Sequence, residues 1–186
     1  MPVTLANERN TVKASATLTK NLQSVLVDLI ELHLQGKQAH WNIVGTNFRD
    51  LHRQLDEVVL AARAFSDEVA ERMRALNAEP DGRSRTVAAS TSLEEFPIGE
   101  VSTHDAIDLV AARLDATSQT MRGVHDQIDE EDPTTADILH AIIEKLEQFA
   151  WMISAENRTP GSIKQQRPAK PGSATSAKKA ASAAKK

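Results

Sequence analysis

Residues 48–76 read FRDLHRQLDEVVLAARAFSDEVAERMRAL, and the apolar positions in this stretch decide the fold. Phe48, Leu51, Leu55, Val58, Ala62, Phe65, Val69, Met73 and Leu76 recur at steps of three and four, the spacing of one face of a long α-helix. Asn47 is placed to cap its start, and Asn77 and Pro80 end it. Upstream, Leu18, Leu22, Val25, Leu29 and Leu32 repeat the pattern and predict a first helix that stops near Gly45. Downstream, Asp81-Gly82 marks a loop. Ser92-Leu93-Glu94-Glu95 has the spacing of a capping box and predicts one short helix there. Ser102 and Asp105 open a third long helix carrying Ile107, Val110, Leu114, Met121, Val124 and Ile128. Asp132-Pro133 reads as an N-cap followed by proline at the first helical position, starting a fourth through Leu139, Ile142, Leu146, Phe149 and Ile153. No run alternates like a strand bounded by turns, and no internal repeat is present. The expectation is all-α: a four-helix bundle with a short helix in the connection between helices two and three.

Composition narrows the chemistry. The chain has 186 residues, 40 % hydrophobic and 26 % charged, enough for one domain with a real core. Its apolar runs are only a few residues long, which argues against a membrane span, and residues 1–10 lack the basic start and apolar run of a signal peptide. A cytoplasmic protein is therefore expected. With no cysteine there is no disulfide, thiolate nucleophile or zinc–cysteine site, so any metal must be held by nitrogen and oxygen. Tyrosine is absent too.

The net charge of −4 averages two opposed regions. Lys164, Arg167, Lys170, Lys178, Lys179, Lys185 and Lys186 give residues 159–186 a charge of +7 with no acid, leaving −11 on residues 1–158. An acidic body with a basic tail points to a nucleic-acid or membrane-surface partner. The tail is rich in Ala, Lys, Ser and Pro, too poor in large apolar side chains to offset the entropy of ordering. The expected organisation is a flexible segment at 1–15, the bundle at 16–158 and a disordered basic tail at 159–186.

The second helix also has a polar face. His52/Asp56 and Asp67/Glu71 are spaced i,i+4, so each pair projects from one side of the helix and suits a shared ion. At about 100° per residue the four fall within an arc of roughly 100°, centred some 140° from the apolar stripe. Residues 56 and 67 lie about 16 Å apart along the axis at 1.5 Å per residue. Ligands sit about 2 Å from a metal and paired metals about 4 Å apart, so the pairs cannot share a site within one chain. Yet 52 and 71, like 56 and 67, are equidistant from Ala61/Ala62. Two antiparallel copies crossing there on a two-fold axis would bring 52 to 71 and 56 to 67, with Ala61, Ala62 and Ala64 permitting close approach. His40, just before the turn between the helices, can reach the His52 end. Two imidazoles and three carboxylates suit Fe(II), Mn(II) or Zn(II) and suit Cu(I) poorly.

Lys37-Gln38-Ala39-His40-Trp41-Asn42-Ile43-Val44-Gly45-Thr46-Asn47-Phe48, then Leu51-His52, Asp56-Glu57, Asp67 and Ala70-Glu71-Arg72, resembles the signature of the Dps mini-ferritins. The resemblance implies a ferritin-like bundle assembled into a hollow dodecamer that oxidises Fe(II), preferably with hydrogen peroxide, and stores ferric mineral. It implies His40, His52 and Asp56 as iron ligands from one subunit, and Asp67 and Glu71 from its two-fold mate. Many family members bind DNA without sequence preference, which implies a nucleoid-associated location. Acidic residues at the start of the last helix line iron-admitting pores in the family, making Asp132 and Asp137 candidate pore residues, although Pro133 interrupts the more acidic run of some members.

Other features carry plainer readings. No Glu precedes a histidine by three residues, so the in-bundle Glu-x-x-His site of ordinary ferritins is not expected; Asp137 and His140 make the nearest approach. His33 reads as a packing or surface histidine, Trp41 either as lining the site or as a core or interface aromatic, and Trp151 as a core or interface aromatic. The cluster Asp126, Asp129, Glu130, Glu131 reads as a solvated acidic loop. No phosphate-binding loop or Ser/His/Asp arrangement stands out. The rival function is a nucleoid-associated structural protein, favoured by the tail, in which the bundle only drives oligomerisation.

Overall fold

The computed structural model describes residues 13–160, which form an almost wholly helical chain. Its elements run α1 (Ala16–Asn42), β1 (Ile43–Val44), α2 (Phe48–Ala75), α3 (Ser84–Ser90), β2 (Val101–Ser102), α4 (Thr103–Glu131) and α5 (Pro133–Ala155). The four long helices pack as two main pairs, α1 with α2 and α4 with α5, closed by contacts of α1 with α4 and α2 with α5. The first-helix residues Leu18, Leu22, Val25, Leu29 and Leu32 are all buried, as are Leu139, Ile142, Leu146, Phe149 and Ile153 of the last helix. On α2 the stripe from Leu51 to Met73 enters the same core, but Phe48 stays 44 % exposed and Phe65 half-buried.

Helix starts differ in how they are held. Ser15 and Ser102 cap α1 and α4 by accepting from the backbone N–H groups of Leu18 and Asp105. Asn47 does precede α2, but in the left-handed conformation (φ 58°) and with no side-chain cap. Pro133 stands at the start of α5 as expected, while the Asp132 carboxylate accepts from Arg72 at 2.6 Å and from the Thr135 hydroxyl.

Two expectations need correction. The short helix lies at Ser84–Ser90, and the capping-box stretch from Ser92 to Glu95 is not helical. Ser92 is drawn elsewhere: its N–H and hydroxyl both donate to the buried carboxylate of Asp28 on α1, at 2.7 and 2.6 Å, and Thr91 and Thr120 donate to the same group. Four donors satisfying one carboxylate outweigh a local cap. In addition, β1 and β2 form a two-residue parallel pairing, Ile43 opposite Val101 and Val44 opposite Ser102, too short to leave an alternating pattern. It fastens the end of α1 to the start of α4. Gly45 follows with φ 127°, and a Cβ there would meet the Thr103 Oγ1 at 3.0 Å.

Residues 1–12 and 161–186 lie outside the described residues, and with them most of the expected N-terminal segment and all seven basic side chains of the tail.

Candidate metal centre

The end of α1 and the first turns of α2 bring three of the expected ligands together. Gly36 makes this possible: a Cβ on it would stand 2.8 Å from the Val59 Cγ2, so the small residue lets α1 lie close against α2 one turn before His40. His40 and His52 then stack with ring centroids 3.6 Å apart. The Nδ1 of His40 lies 3.0 Å from the carbonyl of His52, and the Nδ1 of His52 lies 3.1 Å from the carbonyl of His40. A carbonyl oxygen only accepts, so both Nδ1 atoms carry the proton and donate. With the proton on Nδ1, a neutral ring keeps its lone pair on Nε2, the arrangement in which a hydrogen bond to a carbonyl orients a metal-binding imidazole.

Asp56 joins this pair, with Oδ1 3.2 Å from the Nδ1 of His40 and 2.9 Å from the Lys37 Nζ. The Lys37 ammonium is the main reason that the Asp56 carboxyl is held below the usual carboxylate range, with His40 and His52 adding to it against partial burial. Burial pushes the His40 imidazole below its ordinary value, outweighing the carbonyl and Asp56 that favour its charged form, so it stays a neutral donor of electrons at pH 7. Phe48 tilts against His52 at 5.1 Å, and Lys37 lies 5.8 Å from the ring of the exposed Trp41.

Asp67 and Glu71 lie on the same face of α2 but farther along, and both are exposed. Among the described residues of one chain, no three His, Asp or Glu side chains group so as to hold a metal ion.

The face between the two pairs differs from the sequence reading. Ala62 is wholly buried in the bundle and Ala61 half-buried, so neither presents a small surface at the expected crossing. At about 100° per residue, positions 60 and 63 fall inside the arc of the polar face instead. Leu60, 67 % exposed, and Arg63 stand there with Ala64 beside them. They line an open groove of about 590 Å³, walled also by Leu26, Ile30 and Asp67. The sequence signal for Leu60 was available: it is a large apolar residue on the polar face, four after Asp56.

Of the candidate pore acids, Asp137 is open to solvent, and Asp132 is only 8 % exposed and committed to Arg72. Burial alone would raise the Asp132 carboxyl, but the bonds from Thr135 and Arg72 bring it below its ordinary value. His33 is half-buried, and burial together with Arg63 and Lys37 lowers its basicity. Trp41 and Trp151 are not core residues: they are 69 % and 62 % exposed.

This architecture and sequence have known counterparts. A ferritin-like domain matches residues 19–159, which defines the class. The chain is 33 % identical over 154 residues to the DNA protection during starvation protein 2 of Deinococcus radiodurans, matching 80 % of this chain and 64 % of that protein, so it spans just under two thirds of that relative's length. It is 33 % identical over 143 residues to the DNA protection during starvation protein of Agrobacterium fabrum, 76 % of this chain and 88 % of that protein. The structure of Dps from Microbacterium arborescens in the high iron form superposes with a TM-score of 0.72 at 32 % identity, over 78 % of this chain and 97 % of that one. The chain belongs to the Dps family of ferritin-like proteins. No helix among the described residues is long and apolar enough to cross a membrane.

Proposed function

We propose that this chain is the subunit of a hollow storage cage that oxidises Fe(II) at centres shared between subunits, stores the ferric product and binds DNA through its basic tail. The observation that carries the reading is the His40–His52 pair, whose Nδ1 atoms are spent on backbone carbonyls so that both Nε2 lone pairs are left for a metal beside Asp56. The ligand set is completed in this reading by Asp67 and Glu71 of the partner subunit, across a two-fold axis that buries Leu60 and the groove beside it. Two imidazole nitrogens with three carboxylates hold Fe(II) and favour Fe(III) still more, because the negative charge stabilises the more highly charged ion. The reaction is 2 Fe(II) + H₂O₂ + 2 H⁺ → 2 Fe(III) + 2 H₂O, in which peroxide takes one electron from each of two ions and releases no hydroxyl radical. Iron is the substrate and the cargo.

The high-iron form of the Microbacterium arborescens relative supports an iron role, and the names of the two relatives support protection of DNA. Asp137, open to solvent at the start of α5, is suited to the entry path for iron; Asp132 then acts by holding α5 to α2. A dodecameric cage in the cytoplasm, associated with the nucleoid, fits this reading.

The test is Fe(II) loss on addition of peroxide. Wild type should consume two Fe(II) per peroxide, and His52→Ala with Asp56→Ala, or Asp67→Ala with Glu71→Ala, should each be nearly inactive while still assembling. Full activity in either double variant would overturn the proposed centre. Wild type that binds DNA but leaves Fe(II) unoxidised would favour the structural nucleoid protein.

A further inference from the structure

A second pair of histidines lies away from α2, where α4 packs on α5. The rings of His125 and His140 stand 4.5 Å apart at 33°. His125 turns Nδ1 to the Asp126 carboxylate at 3.1 Å, which fixes the proton on that nitrogen and leaves the lone pair on Nε2. That Nε2 is buried and has no hydrogen-bond partner, and no other side-chain nitrogen or oxygen among the described residues is so placed. Leaving such an atom unpaired is costly unless something arrives to use it. On the neighbouring helix the Nδ1 of His140 lies 3.7 Å from the carboxylate of Asp137 one turn earlier, beyond hydrogen-bond distance. Its side chain is 59 % exposed, so the ring is free to swing and open a path to His125.

We propose that His125 and His140 form a second metal site, binding one divalent first-row transition ion between their Nε2 atoms. Asp126 acts as a positioning residue, orienting the His125 imidazole in the carboxylate–histidine–metal pattern. Imidazole suits Cu(II), Ni(II), Zn(II) and Fe(II) and discriminates against Mg(II) and Ca(II), which require oxygen donors. No third His, Asp or Glu among the described residues joins the pair as a ligand, so water completes the shell and the ion exchanges readily with solvent. The site is independent of the α2 centre.

Cu(II) is the probe, since a nitrogen site of this kind binds it most tightly in the divalent series. The full chain carrying His52→Ala and Asp56→Ala provides a background without the α2 pair. Titration there should reveal one ion per chain, with two equatorial nitrogens in its electron paramagnetic resonance spectrum. Adding His140→Gln should weaken binding at least tenfold and remove the two-nitrogen signature, and His125→Gln should do the same. Asp126→Asn should weaken it severalfold with both nitrogens retained, as expected of an orienting carboxylate. Should His125→Gln fail to fold, the exposed His140→Gln still decides the matter. An unchanged isotherm and spectrum in folded His140→Gln would overturn the proposal, leaving the pair as packing only. Because the background lacks the α2 pair, that result is separable from any failure of iron oxidation there.

Discussion

Lys37 occupies the position at Asp56 that an incoming cation needs. Its Nζ sits 2.9 Å from Oδ1, so the carboxylate is ionised and aimed before any metal arrives, but the ammonium has to be displaced when one does. The pair is partly exposed, which limits its worth to about 1 kcal/mol. Replacing Lys37 with Met should therefore raise affinity for Co(II), a redox-quiet stand-in for Fe(II), by roughly fivefold, as 1.4 kcal/mol is a factor of about ten. Calorimetric titration measures this directly; weaker binding in the variant would mean that Lys37 serves chiefly to hold Asp56 in place. The i,i+4 pairs of the proposed centre were legible in the sequence because that spacing fixes which side chains share a helix face. The hydrogen bonds that orient the rings were not, since Nδ1 reaches a carbonyl twelve residues away, and only the packing of α1 on α2 creates that contact.

Among the elements, the long helices were legible because each buries a stripe of period 3.6. The connection between α2 and α4 was not. Ser92 has a perfectly good local role as a cap, and loses it to Asp28, sixty-four residues earlier, because a buried carboxylate needs donors more than an exposed helix start needs a cap. Asp132 behaves similarly: its sequence position announces α5, while its side chain holds α5 to Arg72 on α2. Removing Arg72 strands a mostly buried carboxylate, and Arg72→Ala should cost about 3 kcal/mol in urea unfolding at pH 7. The sign of the pH effect follows from the lowered Asp132 value. Its contribution is fully present above the ordinary aspartate range, about 3.9, and is lost as pH falls through the lower folded-state value. The gap between wild type and Arg72→Ala should thus be constant above about pH 5 and narrow below pH 4. A gap that widens on acidification would contradict this ion pair's role.

At the scale of the whole molecule, charge and symmetry divide the work. The tail's +7 is separate in sequence from the −11 body, so the proposed phosphate binding falls to residues 159–186. Each tail gives a maximum slope of about −6 in log affinity against log salt, at roughly −0.9 per phosphate neutralised, and several tails on one cage add avidity. Deleting residues 159–186 should abolish mobility shifts at moderate salt while leaving iron oxidation intact; a truncated protein that still shifts DNA would place binding on the body. The proposed two-fold crossing of α2 rests on arithmetic on residue numbers, which does not say which side chains would fill its centre. Helix phase puts Leu60 and Arg63 there and turns Ala62 into the core.

The central claim is that each iron centre draws on two chains, and subunit mixing tests it most directly. One variant carries His52→Ala and Asp56→Ala, the other Asp67→Ala and Glu71→Ala. Unfolded together and reassembled at random, half of the two-fold pairs are mixed, and each mixed pair has one intact centre and one lacking all four α2 ligands. About a quarter of wild-type Fe(II) oxidation should return, on the isologous geometry. None should return when the variants are refolded separately and then combined. Continued inactivity after verified mixing would contradict a centre shared between two chains.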